Sequence, residues 1–219
     1  MRTRSVQAAL LLCAVTLLGP TAVGAELASD AAFTPQELRQ LAHGQRVERR
    51  VTQERGELRL MGGTSWQVID AGPDAVWAAL LDTSHYGRML PQVSAAKLVH
   101  DTGDNRTLFV QHGNSLARTS YYLDVRLDPS RRGMTFHVDE SRPRSIRAAW
   151  GFYTLRPYGA DKTLLVYGVM ADIGDGLVLT LIRPSVHEWM MKVPSLVKRF
   201  VESARARAAR ATAPPGHSG

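Results

Sequence analysis

The segment that most constrains the fold is residues 68–91, which has the pattern of a strand end, a tight turn, a short helix and a second turn. Gly72 and Pro73 interrupt the strand, and proline is well suited to a first helical position. Asp74 then places a carboxylate near the positive end of the helix dipole. Apolar residues follow at spacings of three and four, and they predict a helix with one buried face: Val76, Trp77, Leu80 and Leu81. We expect a sheet to cover that face.

Strand patterns before and after this segment predict the sheet. Residues 47–69 fit two short strands or one bulged strand, and six strand candidates follow: 95–100, 107–111, 118–127, 134–140, 146–155 and 164–170. The clearest alternation gives an apolar face of Thr119, Tyr121, Leu123, Val125 and Leu127. A helical stripe near the C-terminus is expected to cover the dry face: Val186, Trp189, Met190, Val193, Val197, Phe200, Val201 and Ala204.

These segments resemble the START-like family, also called the SRPBCC superfamily, which includes polyketide cyclases/dehydrases and coenzyme-Q-binding domains. The first match comprises Pro73, Val76, Trp77, Leu80, Asp82, Tyr86 and Pro91. Residues 153–157, 163–167 and 172–176 resemble the family's last two strands and its Gly-rich turn. The resemblance implies an α+β helix-grip fold over residues 46–206, a curved antiparallel β-sheet wrapped around a long C-terminal helix. It also implies a cavity between sheet and helix, and it leaves the ligand open.

The first residues have the pattern of a secretory signal peptide. Arg2 and Arg4 precede an apolar run over residues 6–18, and small residues lead to Ala25. We therefore expect residues 1–25 to be cleaved and the protein to be periplasmic or secreted. Cys13, the one cysteine of the chain, would be removed with them, which excludes disulfides and thiol chemistry from the mature protein. Cleavage lowers the net charge from +7 to +5, a modest bias towards anionic surfaces.

Two further segments flank the predicted domain. Residues 26–45 are predicted to be a helical extension, because Thr34 and Glu37 form a capping box around Pro35. This helix would pack against the domain through Leu38 and Leu41, or it would be partly free. Residues 207–219 are predicted to be a flexible tail.

Ten residues are candidates for ligand binding. Six are aromatic side chains that could line a cavity or belong to an ordinary core, and four interrupt apolar strands and could supply polar contacts. The first group is Trp77, Tyr86, Trp150, Tyr153, Trp189 and Phe200, and the second is His112, Tyr121, Arg147 and Tyr167.

Other kinds of site have little support in the sequence. His187 begins a zinc-protease pattern, but Met191 stands where the second histidine is needed, so we expect no metal site. Asp172 and Asp175 flank glycines and are explained by turn formation at the surface. No nucleophile elbow or nucleotide loop is present, and we assign no catalytic residue and no cofactor. A nucleic-acid partner is not expected, because export separates the chain from it and no aromatic–basic platform is seen.

The leading hypothesis is an exported START-like monomer that binds or carries a hydrophobic small molecule, such as a lipid, quinone or polyisoprenoid. The alternative is a cyclase- or hydrolase-like enzyme in the same cavity, with His112 or His137 as base and Tyr121 or Tyr167 polarising a carbonyl. A third hypothesis is a protein with a filled core and no cavity, which binds another envelope protein through its basic face. Residues 174–182 are either the first turns of the last helix or a lip that contacts an anionic membrane surface.

Overall fold

The described part of the protein forms an eight-stranded sheet and four α-helices. In the computed structural model, residues 33–113 and 118–212 are described, so the predicted signal peptide lies outside the described residues. Short 3-10 turns occupy Thr83–His85 and Pro129–Arg131. In chain order, the elements are α1 (Pro35–Ala42), β1 (Val47–Arg55), β2 (Leu58–Ile69), α2 (Pro73–Leu81), α3 (Tyr86–Met89), β3 (Val93–Asp101), β4 (Asn105–Gly113), β5 (Arg118–Asp128), β6 (Gly133–Val138), β7 (Ala148–Pro157), β8 (Thr163–Asp172) and α4 (Leu177–Thr212).

All neighbouring strands are antiparallel, in the order β1-β2-β8-β7-β6-β5-β4-β3. The inner face of the sheet packs against α2, α3 and α4. The predicted stripe of α4 contributes Met190, Val193, Val197 and Val201 to this main core. The α+β helix-grip fold is therefore confirmed, with the long C-terminal helix held by a curved antiparallel sheet.

Helix α2 begins where the sequence predicts. Gly72 is the N-cap, Pro73 is the first helical residue and Asp74 lies in the first turn. Val76 and Leu80 are buried on the face that meets the core. The chain thus turns from β2 into a helix that closes one end of the sheet.

Residues 47–69 form two strands rather than one bulged strand, and the turn between β1 and β2 lies at Gly56. Gly62 and Gly63 are inside β2. A Cβ atom at Gly62 would lie 1.9 Å from the Val169 carbonyl oxygen, and one at Gly63 would lie 2.1 Å from the Arg49 carbonyl oxygen. This pair lets both neighbouring strands approach β2 more closely than side chains would permit.

The N-terminal helix α1 covers part of the outer face of the sheet. Its capping box is present: the Thr34 hydroxyl accepts from the Glu37 amide at 3.2 Å, and the Glu37 carboxylate accepts from the Thr34 amide at 2.7 Å. Leu41 is buried, whereas Leu38 is 51% exposed. A second apolar group, called the outer cluster below, lies under α1: Leu41, Val47, Trp66, Val68, Phe152 and Val166. The alternation in β5 suggests a polar outer face. The structure shows that this face is partly apolar, because the outer cluster lies on it.

Helix α4 starts at Leu177, which makes residues 177–182 its first turns, and it continues to Thr212, past the domain end predicted at 206. The predicted tail beyond 212 lies outside the described residues. No helix in the described part of the chain combines the length and the apolar character needed to cross a membrane.

Candidate ligand-binding cavity

A cavity of about 460 Å³ lies between the inner face of the sheet and α4. Its volume is within the range of sites that hold drug-sized ligands, roughly 300–1,000 Å³. All five residues of the predicted apolar face of β5 line it, because alternate side chains of a strand point to the same side. Leu80 of α2 and Val193 of α4 face them. The walls are mostly aliphatic, so the cavity suits an apolar molecule.

Six of the ten candidate residues line this cavity. They come from α3, from four strands of the sheet and from α4, and their side chains meet in one space. They are Tyr86, His112, Tyr121, Tyr153, Tyr167 and Trp189.

The other four candidates lie outside the cavity. Trp150 is between two inward residues of β7, Ala149 and Gly151, and therefore points to the outer face. Phe200 lies further along α4, with its ring 5.3 Å from that of His85. Trp77 packs at the edge of the main core, and Arg147 pairs with Asp175 at 2.7 Å.

His112 and Tyr121 form a hydrogen-bonded pair on the cavity wall. The distance from His112 Nε2 to the Tyr121 hydroxyl oxygen is 2.6 Å, and the edge of Trp189 contacts the imidazole with ring centroids 5.2 Å apart. Burial lowers the pKa of His112 to about 4, and a hydrogen bond with the Gln92 backbone partly opposes this shift. The ring is therefore neutral at pH 7, with one nitrogen donating and the other accepting.

The tautomer of His112 follows from these partners. The hydrogen bond between His112 and the Gln92 backbone raises the pKa of His112, so it favours the protonated imidazole. Because a protonated imidazole can only donate, the Gln92 group that it bonds is the carbonyl oxygen. The remaining nitrogen, Nε2, then accepts the proton of the Tyr121 hydroxyl.

Three more tyrosines share the cavity. Tyr153 and Tyr167 are directly opposite each other on β7 and β8, with ring centroids 4.7 Å apart. The Tyr86 hydroxyl donates to the Leu80 carbonyl oxygen at 2.7 Å. Burial raises the pKa of Tyr86 to about 12 and raises the pKa values of Tyr153 and Tyr167, with the neighbouring phenols adding to the shift at Tyr153. All these hydroxyls are protonated at neutral pH.

A charged network anchors the first turns of α4 beside the cavity. Arg183 donates to the carbonyl oxygens of Gly174 at 2.7 Å and Arg59 at 3.0 Å, and it lies 3.5 Å from the Asp172 carboxylate. Asp172 is fully buried and also accepts from the amides of Arg59 and Gly174. Asp172 therefore forms the expected turn and charge pairing, but it is buried and not at the surface. Sequence reasoning missed this network because Arg59, whose amide and carbonyl groups take part in it, is 113 residues from Asp172 in the chain.

The network holds apolar residues at the cavity wall. Leu179, Ile182 and Val186 of α4 line the cavity, whereas Leu181 between them is 80% exposed. Within residues 33–113 and 118–212, no group of three or more His, Cys, Asp or Glu side chains could hold a metal ion. The remaining histidine of the enzyme hypothesis, His137, has a side chain that is 62% exposed, outside the cavity.

Comparison with family models identifies the class of protein. The model described as "Polyketide cyclase / dehydrase and lipid transport" matches residues 69–201, which is more than half of the chain. The chain therefore belongs to this family, as the sequence resemblance implied. A comparison with curated proteins finds no match.

Solved structures share the fold at low sequence identity. A protein of Thermus thermophilus has a TM-score of 0.56 and 18% identity, covering 68% of this chain and 98% of its own. The Zhui aromatase/cyclase of Streptomyces sp. R1128 has a TM-score of 0.57 and 17% identity, with the same coverage. A STAR-related lipid transfer protein of Xanthomonas axonopodis has a TM-score of 0.54 and 16% identity, covering 70% of this chain and 98% of its own. This set spans both enzyme and transfer proteins.

Proposed function

We propose that this protein binds a hydrophobic small molecule, such as a lipid, quinone or polyisoprenoid, in the cavity between its sheet and α4. The observation that carries the proposal is the mostly aliphatic cavity of about 460 Å³. Burial of each methylene group contributes about 0.8 kcal/mol, so a ligand of a dozen carbons needs little more than shape and a few polar contacts. The cavity-lining aromatic residues Tyr86, Tyr153, Tyr167 and Trp189 supply such contacts.

The proposal includes export and a carrier or storage role for a monomer. The signal-peptide pattern of residues 1–25 supports the periplasm or the exterior as its location. Leu181 and Ile182 are exposed next to the cavity wall. Together with the positive net charge, they support a transient contact with an anionic membrane while the ligand enters or leaves.

Native mass spectrometry tests the binding proposal. The protein lacking residues 1–25 is purified from its own envelope fraction, and whatever co-purifies is extracted with organic solvent. A discrete added mass that extracts as an apolar molecule is the expected result. A bare protein mass, unchanged after mixed lipids and quinones are offered, would count against ligand binding.

One observation favours a second candidate function, catalysis in the same cavity. His112 Nε2 is a base that lies 2.6 Å from the Tyr121 hydroxyl, an arrangement that can hold and move a proton at a bound carbonyl compound. The test incubates the extracted ligand with wild-type protein and with His112→Ala. A product formed by the wild type alone would support the enzyme, and unchanged ligand in both would support the carrier.

A further inference from the structure

Two phenol hydroxyls in the cavity have no hydrogen-bond partner among the described residues of the protein. They belong to Tyr153 and Tyr167, whose rings contact each other at a tilt across β7 and β8, with Phe136 beside them. By contrast, the hydroxyls of Tyr86 and Tyr121 are bonded to Leu80 and His112. Buried phenols usually find a partner, because an unpaired polar group costs free energy in an apolar site.

The hydroxyls of the pair face the cavity. Both residues are on the inner face of the sheet, and the hydroxyl is the part of a tyrosine furthest from its strand. Tyr167 as a whole is 5% exposed and Tyr153 is partly buried, so both side chains are largely shielded from bulk solvent. The hydrogen-bond partner of these two groups is therefore expected to belong to the molecule in the cavity.

The chemistry of the partner follows from the donors. A protonated phenol donates one hydrogen bond, so two neighbouring phenols suit an acceptor oxygen, which has two lone pairs. Among the described lining residues, Arg106 carries a full positive charge. The Asp101 carboxylate balances that charge, with its oxygen 3.1 Å from Arg106 Nε but outside hydrogen-bond geometry, and Arg106 also donates to the Leu81 carbonyl oxygen at 3.3 Å. Because burying an ion without a paired charge is costly, a neutral acceptor fits better than a carboxylate.

We propose that Tyr153 and Tyr167 donate hydrogen bonds to a neutral carbonyl oxygen of the bound molecule, which is therefore a hydrophobic ketone, quinone or ester rather than a hydrocarbon or a fatty-acid anion. The inference rests on the proposed function, because it requires a ligand in the cavity. It adds the ligand's chemical class and the wall of the cavity, β7 and β8, to which its oxygen is held.

The experiment compares fluorene with fluorenone, which share one ring skeleton and differ by a carbonyl group. Dissociation constants are measured by equilibrium dialysis for the wild type and for the double variant Tyr153→Phe/Tyr167→Phe. Two lost neutral hydrogen bonds should weaken fluorenone binding by about tenfold or more and leave fluorene binding unchanged. The infrared carbonyl band of bound fluorenone should also move to higher wavenumber in the variant.

A matched control removes a phenol from the other side of the sheet. Tyr122 of β5 is the neighbour of cavity-lining Tyr121, and the Arg142 guanidinium lies over its ring at 5.0 Å. Tyr122→Phe should change neither affinity nor the infrared band. The single variants Tyr153→Phe and Tyr167→Phe are measured as well, so that a double variant that fails to fold does not end the test.

The outcomes separate this inference from the function on which it rests. Equal binding of both probes by the wild type and the phenylalanine variants, with an unmoved carbonyl band, would overturn the role of the tyrosine pair and leave the binding function intact. Failure of the wild type to bind either probe would count against the proposed function, and the inference would fall with it.

Discussion

At the scale of the residue, His112 has uncharged surroundings on every side that the structure describes. Its ring contacts the Tyr121 hydroxyl, the Gln92 backbone and the edge of Trp189. Burial lowers its pKa to about 4, whereas histidine in an unfolded chain titrates near 6.5. Between these two pH values the unfolded chain binds a proton at this position and the folded protein does not.

We therefore expect His112 to make the fold less stable as the pH falls from about 6.5 to 4, by roughly 3 kcal/mol at most. The penalty is absent above the unfolded pKa and complete below the folded one. His112→Gln should remove it, so urea unfolding at pH 7 and pH 4.5 should show a smaller loss for the variant than for the wild type. Exposed His100 offers the control, and His100→Gln should behave like the wild type. Identical pH dependence in His112→Gln and wild type would contradict the assignment.

Strand alternation was enough to predict the cavity residues of β5, because a strand places alternate side chains on one face. The same alternation places Trp150 on the face opposite to Ala149 and Tyr153, which line the cavity, so the candidates Trp150 and Tyr153 cannot both face it. Phe200 belongs to the predicted stripe of α4, but the helix is long and has passed the cavity at that point. The tyrosine–histidine pair depends on the pairing of β4 with β5, which no local pattern specifies.

At the scale of the element, the first turns of α4 are held differently from the rest of the helix. The chain leaves β8 at Asp172 and reverses through Gly174 and Gly176, whose φ angles are +92° and +137°. Polar bonds from Arg183 then tie the helix to this turn and to β2. Further along, α4 is held by buried apolar side chains such as Val197. The two halves of the helix therefore depend on different forces.

We expect Arg183→Ala to loosen the first turns of α4 without unfolding the protein. Each hydrogen bond of this kind is worth about 1 kcal/mol, so a global loss of about 1–3 kcal/mol is expected. Hydrogen exchange should accelerate for the backbone amides of the non-proline residues in 179–186, and release of bound fluorenone should become faster. Arg199→Ala, which changes an exposed arginine of the same helix, should do neither. Unchanged exchange at residues 179–186 in Arg183→Ala would show that the network does not anchor the helix.

At the scale of the whole molecule, the sheet has apolar layers on both faces. The main core and the cavity lie on the inner face, and the outer cluster lies under α1. The helix-grip arrangement was predictable because strand and helix periodicities follow each other along the chain. The outer cluster was not, because the sequence of α1 shows one apolar face without showing which strands that face meets.

Filling the cavity should separate a binding protein from a protein with a solid core. Val193 lines the cavity, so Val193→Trp should occupy the ligand's space, weaken fluorenone binding by about tenfold or more, and change the free energy of unfolding by less than about 1 kcal/mol. Val197, one turn further along α4, is buried in the main core like Val193 but does not line the cavity. Val197→Trp should overpack that core and cost about 1–3 kcal/mol, as urea unfolding would show. Equal destabilisation by both variants would mean that no usable space exists at Val193.

The outer cluster also covers the outer face of only one half of the sheet. Strands β2, β7 and β8 have apolar layers on both sides, whereas the opposite edge strand, β3, carries the half-exposed Leu98 and Val99. Opening for passage of a ligand should therefore fall on the side of β3 and the first turns of α4. Residence time would then be set by a small region, and affinity by the whole lining. In related chains residence time and affinity could then change independently of each other, so that one architecture serves either slow storage or rapid exchange.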